Sequence, residues 1–342
     1  MIDINPRDAG AVARALCAWV ASRFGAPTSI VGAPAPVGAG FDSYIHFVQL
    51  DSPALPPAWR APLAVRLLPS ADRIEQATRE AAVQGWCAAS GFPAPVVLAV
   101  LAPDELFGLP AQVMARAPGT TALDALKARP WRAGALLRQL ADLQLRLHAL
   151  STAGWPGSAS PDALVSQRLA LPRRVAAEVG DESLAGALRQ AEALRPLATS
   201  GPRVVCHGDF HPLNVVVNGS SASVIDWTDA GLGPPEADVA RTVLLFHVAA
   251  LAAGSALERR VLAAVGPRLA TRYRRAYDAG AAVDPERLRA WEALHALHGW
   301  SQVVGLHAGG LESKMSADAN RVPLAVGDYL RSRFERAVGS PG

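Results

Sequence analysis

The apolar positions change period along the chain, and the changes divide it in two. Residues 11–24 (AVARALCAWVASRF) carry apolar side chains at helical spacing. The next segments, SIVGAPAPVGAGFDSYIHFVQL and PLAVRLL, read as strands, with Tyr44, Phe47 and Val48 among the β-prone positions. Residues 71–90 return to a helical pattern that stops at Gly91, with Pro93 and Pro95 beyond it. Two further strands, PVVLAV and AQVMAR, lead to a turn at Pro118–Gly119. From Thr121 onward the pattern is mostly helical: residues 133–150 are amphipathic, STAGWPGSASPD reads as a loop, and helices cover roughly 163–198. The strands VVCHGDF and SVIDW interrupt, and helices resume from about Asp238 to the end. The pattern predicts an α+β fold: a small sheet lobe with one main helix over 1–117, and a larger, mostly helical lobe over 118–342. A cleft between two such lobes is where a ligand is expected.

Composition narrows the class of partner. A chain of 342 residues buries a sizeable core. The formal charge is +3, and only Lys127 and Lys314 are lysines among the 33 basic residues. No basic run is interleaved with aromatics, which argues against a nucleic-acid partner. Cys17, Cys87 and Cys206 lie far apart without metal-ligand spacing and suit a reducing cytoplasm. The longest apolar stretch, Val243–Leu251, contains His247 and is too short for a bilayer, and MIDINPRDAG lacks a positive-then-apolar leader pattern. The expectation is a soluble cytoplasmic protein without a membrane partner.

The chemistry concentrates in VVCHGDFHPLNVVV, Val204 to Val217. Here His207, Asp209, His211 and Asn214 break an apolar run, and Asp226 follows at the end of SVIDW. Any one of these alone reads as a turn or cap residue. As an ordered set between apolar strands they suit phosphoryl transfer. That reaction needs a carboxylate to accept the proton of an attacking hydroxyl, and an amide and second carboxylate to hold Mg²⁺ against nucleotide phosphates.

HGDFHPLN followed by IDW resembles the aminoglycoside phosphotransferase and choline kinase group of kinase-like enzymes. The resemblance implies a two-lobe, protein-kinase-like fold and an ATP- or GTP-dependent phosphotransferase acting on a small-molecule hydroxyl. It implies Asp209 as catalytic base, Asn214 and Asp226 as Mg²⁺ ligands, and His207 as a brace. VGAGFDSYIHFV is similar to the family's nucleotide-covering hairpin, with Gly38 and Gly40 for close phosphate approach and the Ser43 hydroxyl beside them. Arg66, the lone charge in PLAVRLL, sits where the family places its phosphate-contacting cation, and Glu80 matches the helix glutamate that pairs with it. The alternative for Arg66 is an edge strand facing water. AQVMARAPGTTALDAL is similar to the hinge, where backbone from Met114 to Ala117 would meet the adenine edge. His148 reads as structural. Near Glu236 and Asp238 the family has an acidic residue that braces the catalytic loop or caps the next helix, and for Asp238 the cap is the preferred expectation. His295 and His298 have i, i+3 spacing but no matching acid or thiol, so they read as core or pocket residues.

The acceptor is less defined. From Arg241 to the end there are nine Asp/Glu against fourteen Lys/Arg, which disfavours a polycation such as an aminoglycoside. Trp291, Trp300 and Tyr329 suggest a less polar pocket, suited to a macrolide, a sugar or an amino alcohol, although each is more often core. A second reading is a kinase-like nucleotide-binding protein without activity; the intact Asp209, Asn214 and Asp226 argue against it. A protein kinase is disfavoured by the short span between Asp226 and Glu236, which leaves no room for an activation segment.

Overall fold

The computed structural model describes residues 5–37, 43–249, 251, 255–308 and 322–339. Apolar spacing over the first described segment makes α1 (Ala9–Phe24), capped where the Asp8 carboxylate accepts the Ala11 N–H and ended by Gly25 in the left-handed region. The chain continues through β1 (Ser29–Ile30), β2 (Ala35–Val37), β3 (Tyr44–Val48), β4 (Leu50–Asp51), α2 (Pro57–Arg60) and β5 (Leu63–Leu67). A 3-10 turn over Ala71–Arg73 leads into α3 (Ile74–Ala89), followed by β6 (Val97–Leu101) and β7 (Ala111–Ala115). These belong to a unit of Met1–Gly119 with Ser223–Ile225.

Its main sheet is antiparallel in the order β2-β3-β5-β7-β6, so β5 is the central strand. Strand alternation then assigns the faces. Leu63, Val65 and Leu67 are fully buried and pack in one cluster with Val12, Leu16 and Val20 of α1. Burial of each such aliphatic side chain contributes about 1.5–3 kcal/mol. Arg66 has the opposite parity and meets α3 instead, where Gln112 Nε2 also donates to the Ala77 carbonyl.

The second unit comprises Thr120–Ala222 and Asp226–Gly342. It begins with β8 (Thr120–Thr121), α4 (Ala122–Ala128), α5 (Ala133–His148), α6 (Ala163–Val179), α7 (Glu182–Ala193) and α8 (Arg195–Ala198). Next come β9 (Val204–Cys206), β10 (Val215–Asn218), β11 (Ser221–Val224), whose last two residues belong to the first unit, and β12 (Gly231–Gly233). The remaining helices are α9 (Glu236–Val248), α10 (Ala256–Asp278), α11 (Pro285–His307) and α12 (Leu324–Gly339). The core is helical: Leu164, Leu169, Leu244, Leu294, Leu297 and Phe334 are among its buried members. Among the described residues no helix is long and apolar enough to cross a membrane.

Pairing of the short strands departs from simple reading order. β9 pairs antiparallel with β12, through Cys206–Gly231 and Val204–Gly233, while β10 pairs with β8 and neighbours β11. The Gly-Leu-Gly segment has low intrinsic strand preference, and its pairing with β9 comes from tertiary context. Trp291 and Trp300 join the helical core and Tyr329 packs against it.

Candidate functional site

Between β9 and β10 the chain leaves the ladder at His207 and returns at Val215, and the polar residues of this loop are gathered from behind by α9. Asp238, Arg241 and Thr242 stand at i, i+3 and i+4 on that helix, one face by the 3.6-residue period. The Asp238 carboxylate accepts the backbone N–H of His207 at 2.8 Å and of Gly208 at 2.6 Å. Arg241 Nε donates to Asp209 Oδ1 at 2.8 Å, and Thr242 Oγ1 donates to the Phe210 carbonyl at 2.6 Å. Four successive loop residues are thus held by three side chains of one helix.

Asp238 is therefore not the helix cap its position suggested. Pro235 occupies the cap position, and Asp238 lies fully buried in the first turn of α9. Its carboxylate turns to the loop because unpaired buried backbone N–H groups are costly. His148 Nε2 lies 3.1 Å from Asp238 Oδ2, and its Nδ1 lies 2.6 Å from the Tyr277 hydroxyl, which fixes His148 as a structural link. Burial tends to raise the Asp238 pKa, but the His148 hydrogen bond and charge and the His207 contacts outweigh it and lower the value.

Asp209 and Asn214 are brought into direct contact. Asn214 Nδ2 donates to the Asp209 carbonyl at 3.0 Å and to Asp209 Oδ2 at 3.2 Å, and it also lies 3.2 Å from His211 Nε2. His211 Nε2 is 3.1 Å from Asp209 Oδ2. Burial pulls the Asp209 pKa up, but Arg241 and His211 beside it hold the carboxyl well below the usual range. With the Asn214 amino group turned to Asp209, its amide oxygen makes no hydrogen bond among the described residues. His207 is fully buried, packs against Trp227 at 4.8 Å between ring centroids, and offers Nδ1 to the Asp209 N–H. It braces the loop.

Gly208 has φ 78°, and a Cβ there would lie 2.2 Å from the Asp229 carbonyl oxygen. Arg168 of α6 fastens the same place: its Nη2 donates to the Gly208 carbonyl at 3.0 Å and to Asp229 Oδ2 at 3.1 Å. Gly208→Ala is expected to lower turnover at least tenfold and to destabilise the protein by about 1–3 kcal/mol, the cost of a non-glycine residue in such a conformation. Steady-state kinetics and thermal unfolding of the variant check this.

Asp226 follows β11 and is the one non-glycine residue with positive φ among the described residues, at 63°. It is exposed, and its Oδ1 accepts the Thr228 hydroxyl at 2.7 Å. A left-handed aspartate costs energy that functional loops often carry. Asn214 and Asp226 supply hard oxygen donors, the chemistry that suits Mg²⁺.

In the first unit Arg66 lies on the central strand, which removes the edge-strand alternative. Its Nη1 donates to Glu80 Oε2 at 2.5 Å and its Nε to Ser43 Oγ at 3.1 Å, all three side chains being buried. Gln76 Nε2 holds the other Glu80 oxygen at 2.7 Å. The Ser43 hydroxyl is thus an acceptor for Arg66. Gly38 and Gly40 lie outside the described residues. At the hinge, Met114 pairs with Ala64 and Val97 in the sheet, and the N–H groups of Ala115 and Arg116 donate to the carbonyls of Val96 and Pro62. Those two donors are unavailable to a base; Ala117 lies beyond the pairings.

His295 Nε2 lies 2.7 Å from the Ala237 carbonyl and His298 Nδ1 2.9 Å from the Arg168 carbonyl. Burial, with Arg168 nearby, pushes the His298 pKa down to about 3 and that of His295 well below its usual value. Both are neutral parts of the scaffold. The sequence reading missed Arg241 and Arg168. A lone cation three residues after Asp238 in an apolar helix was a usable signal for Arg241; Arg168 carried none, being one of three arginines in α6 with Arg173 and Arg174.

A model of the phosphotransferase enzyme family matches residues 35–291. No protein of curated description matches the chain by sequence. Among solved structures, the chain is similar to a thermostable mutant of aminoglycoside phosphotransferase APH(4)-Ia in apo form, with 17% identity over 94% of this chain and 98% of that one, and a TM-score of 0.62. It is also similar to an aminoglycoside-3'-phosphotransferase of type VIII, with 23% identity, 83% and 98% coverage and a TM-score of 0.57. A third, APH(3'')-Id from Streptomyces rimosus in complex with ADP and streptomycin, gives 20% identity, 78% and 92% coverage and a TM-score of 0.54. At these identities the likeness is one of fold.

Proposed function

This chain belongs to the phosphotransferase enzyme family, and from that premise we propose that it moves the γ-phosphoryl group of ATP or GTP to a hydroxyl of a small molecule. The observation that carries the reading is the direct contact of Asp209 with Asn214 on one loop, with Asp209 held in place by Arg241 of α9. Nucleotide as donor is further supported by the ADP bound in aminoglycoside phosphotransferase APH(3'')-Id, which shares this fold.

In this reading the acceptor oxygen forms a bond to the γ-phosphorus and the bond from that phosphorus to the nucleoside diphosphate breaks. The diphosphate leaves with the electron pair, and the hydroxyl proton passes to the Asp209 carboxylate. Asp209 first orients the hydroxyl; its depressed pKa keeps it ionised and ready to accept that bond. Asn214 and Asp226 would hold Mg²⁺, which when bound would offset negative charge on the phosphates. Arg66, oriented by Glu80 and Ser43, contacts the phosphates as a buried, always-charged donor. Ala117 is the hinge backbone donor left for the base. Residues 1–117 bind the nucleotide, and 118–342 carry the catalytic loop and the acceptor-binding region.

The test is Mg²⁺-dependent release of ADP or GDP with a panel of hydroxylated acceptors. Asp226→Asn is expected to raise the Mg²⁺ concentration needed for half-maximal rate by about tenfold or more, since a neutral amide replaces a charged ligand. An unchanged Mg²⁺ requirement in that variant would remove Asp226 from the ligand set.

A further inference from the structure

One cation beside the base has no part in the reaction as written. Arg241 leaves α9 with its Nε on Asp209 Oδ1, and this is the hydrogen bond it makes among the described residues. A guanidinium carries five N–H donors in a rigid plane, so engagement of Nε leaves the terminal nitrogens. The side chain is 16% exposed, and those nitrogens make no hydrogen bond among the described residues. Any group attached close to the hydroxyl presented to Asp209 therefore also comes close to Arg241. An ammonium in that place meets a like charge; a carboxylate or phosphate meets planar donors that match its geometry. The Asp209 charge is already offset by Arg241, so little attraction remains there for a cationic acceptor. The surplus of fourteen Lys/Arg over nine Asp/Glu from Arg241 to the C-terminus points the same way.

We propose that Arg241 binds an anionic group, carboxylate or phosphate, carried by the acceptor near its reacting hydroxyl, so that this enzyme takes an anionic hydroxy compound and not a polycation. The inference rests on the phosphotransferase reading above and adds the acceptor class to it. Arg241 is then a specificity-determining residue that holds Asp209 with one edge and the substrate with the other.

Two matched acceptor series test it: glycerol, glycerate, glycerol 3-phosphate and serinol; and glucose, gluconate, glucose 6-phosphate and glucosamine, with streptomycin and hygromycin B added. Release of nucleoside diphosphate above the hydrolysis background is measured for wild type, Arg241→Lys and Arg241→Gln. The expected result is a kcat/KM for an anionic member at least tenfold above its neutral and ammonium counterparts. In Arg241→Lys, which keeps the charge and loses the fork, the anionic-to-neutral ratio falls about tenfold through KM. The proposal is overturned if ammonium or neutral members are used as well as anionic ones, or if no anionic member is used above background. A fall in kcat that is equal for every acceptor in both variants also overturns it, since that is a merely structural role. Because the wild-type comparison needs no variant, poor folding of Arg241→Gln leaves the test intact. Absence of any hydrolysis that depends on Asp209 is a different failure: it removes the phosphotransferase reading itself.

Discussion

Asp209→Asn is expected to lower phosphoryl transfer by roughly 10²–10⁴-fold, the range seen when a general base is removed. The amide is nearly isosteric and leaves the nucleotide-side residues Arg66 and Glu80 untouched, so the nucleotide KM should stay within a few-fold. What the amide cannot do is take the hydroxyl proton or offset Arg241, which loses its anionic partner at 2.8 Å. Steady-state release of nucleoside diphosphate, with thermal unfolding of the same preparation as a control for folding, measures both effects. A rate within threefold of wild type, from a folded variant, would refute the assignment of Asp209 as the base.

The second large effect concerns stability. Asp238 is fully buried, accepts the two buried backbone N–H groups of His207 and Gly208, and faces His148. Its removal in Asp238→Ala leaves these donors without a partner, and breaking a buried charged network of this kind costs about 3–5 kcal/mol. Chemical denaturation reads the loss directly. A cost under about 1 kcal/mol would mean that the loop holds its geometry without α9.

The same carboxylate sets an acid limit. The folded pKa of Asp238 lies below its ordinary value of 3.8, so the folded state binds the proton less readily than the unfolded chain does. Its contribution is fully present above the unfolded value and is lost as pH falls through the lower, folded one. Unfolding free energy measured from neutral pH downward should therefore decline more gently below about pH 4 in Asp238→Asn than in wild type, from a lower starting value. An acid limb of identical slope in the two proteins would refute the linkage.

Some of the site was legible because its geometry is local or periodic. Asp209 and Asn214 meet across one short loop, a distance that five residues of chain already impose. Arg66 and Glu80 come from adjacent elements, a strand and the helix after it, and a lone cation in an apolar strand demands a partner. Asp238 was misjudged for the opposite reason. A carboxylate in the first turn of a helix suits a cap in any local view, and its real partners, His207, Gly208 and His148, lie 30 to 90 positions away in sequence. Arg168 and Asp229 meet over 61 positions with no pattern to announce them. The Gly-Leu-Gly of β12 likewise has no strand signature, because its pairing with β9 is supplied by the fold.

The sequence by itself thus determined the α+β composition, the family and which polar groups are the candidates for phosphoryl transfer, since these follow from period, spacing and residue type. The tertiary structure decided how those groups are held and what they face. It set Asp238, Arg241 and Thr242 behind the loop, seated Arg168 against Gly208, and turned Asp226 into the left-handed region. The physical reason is that a buried donor or charge takes whichever partner the packed chain brings within about 3 Å. Those partners came from distant elements, beyond the reach of local spacing.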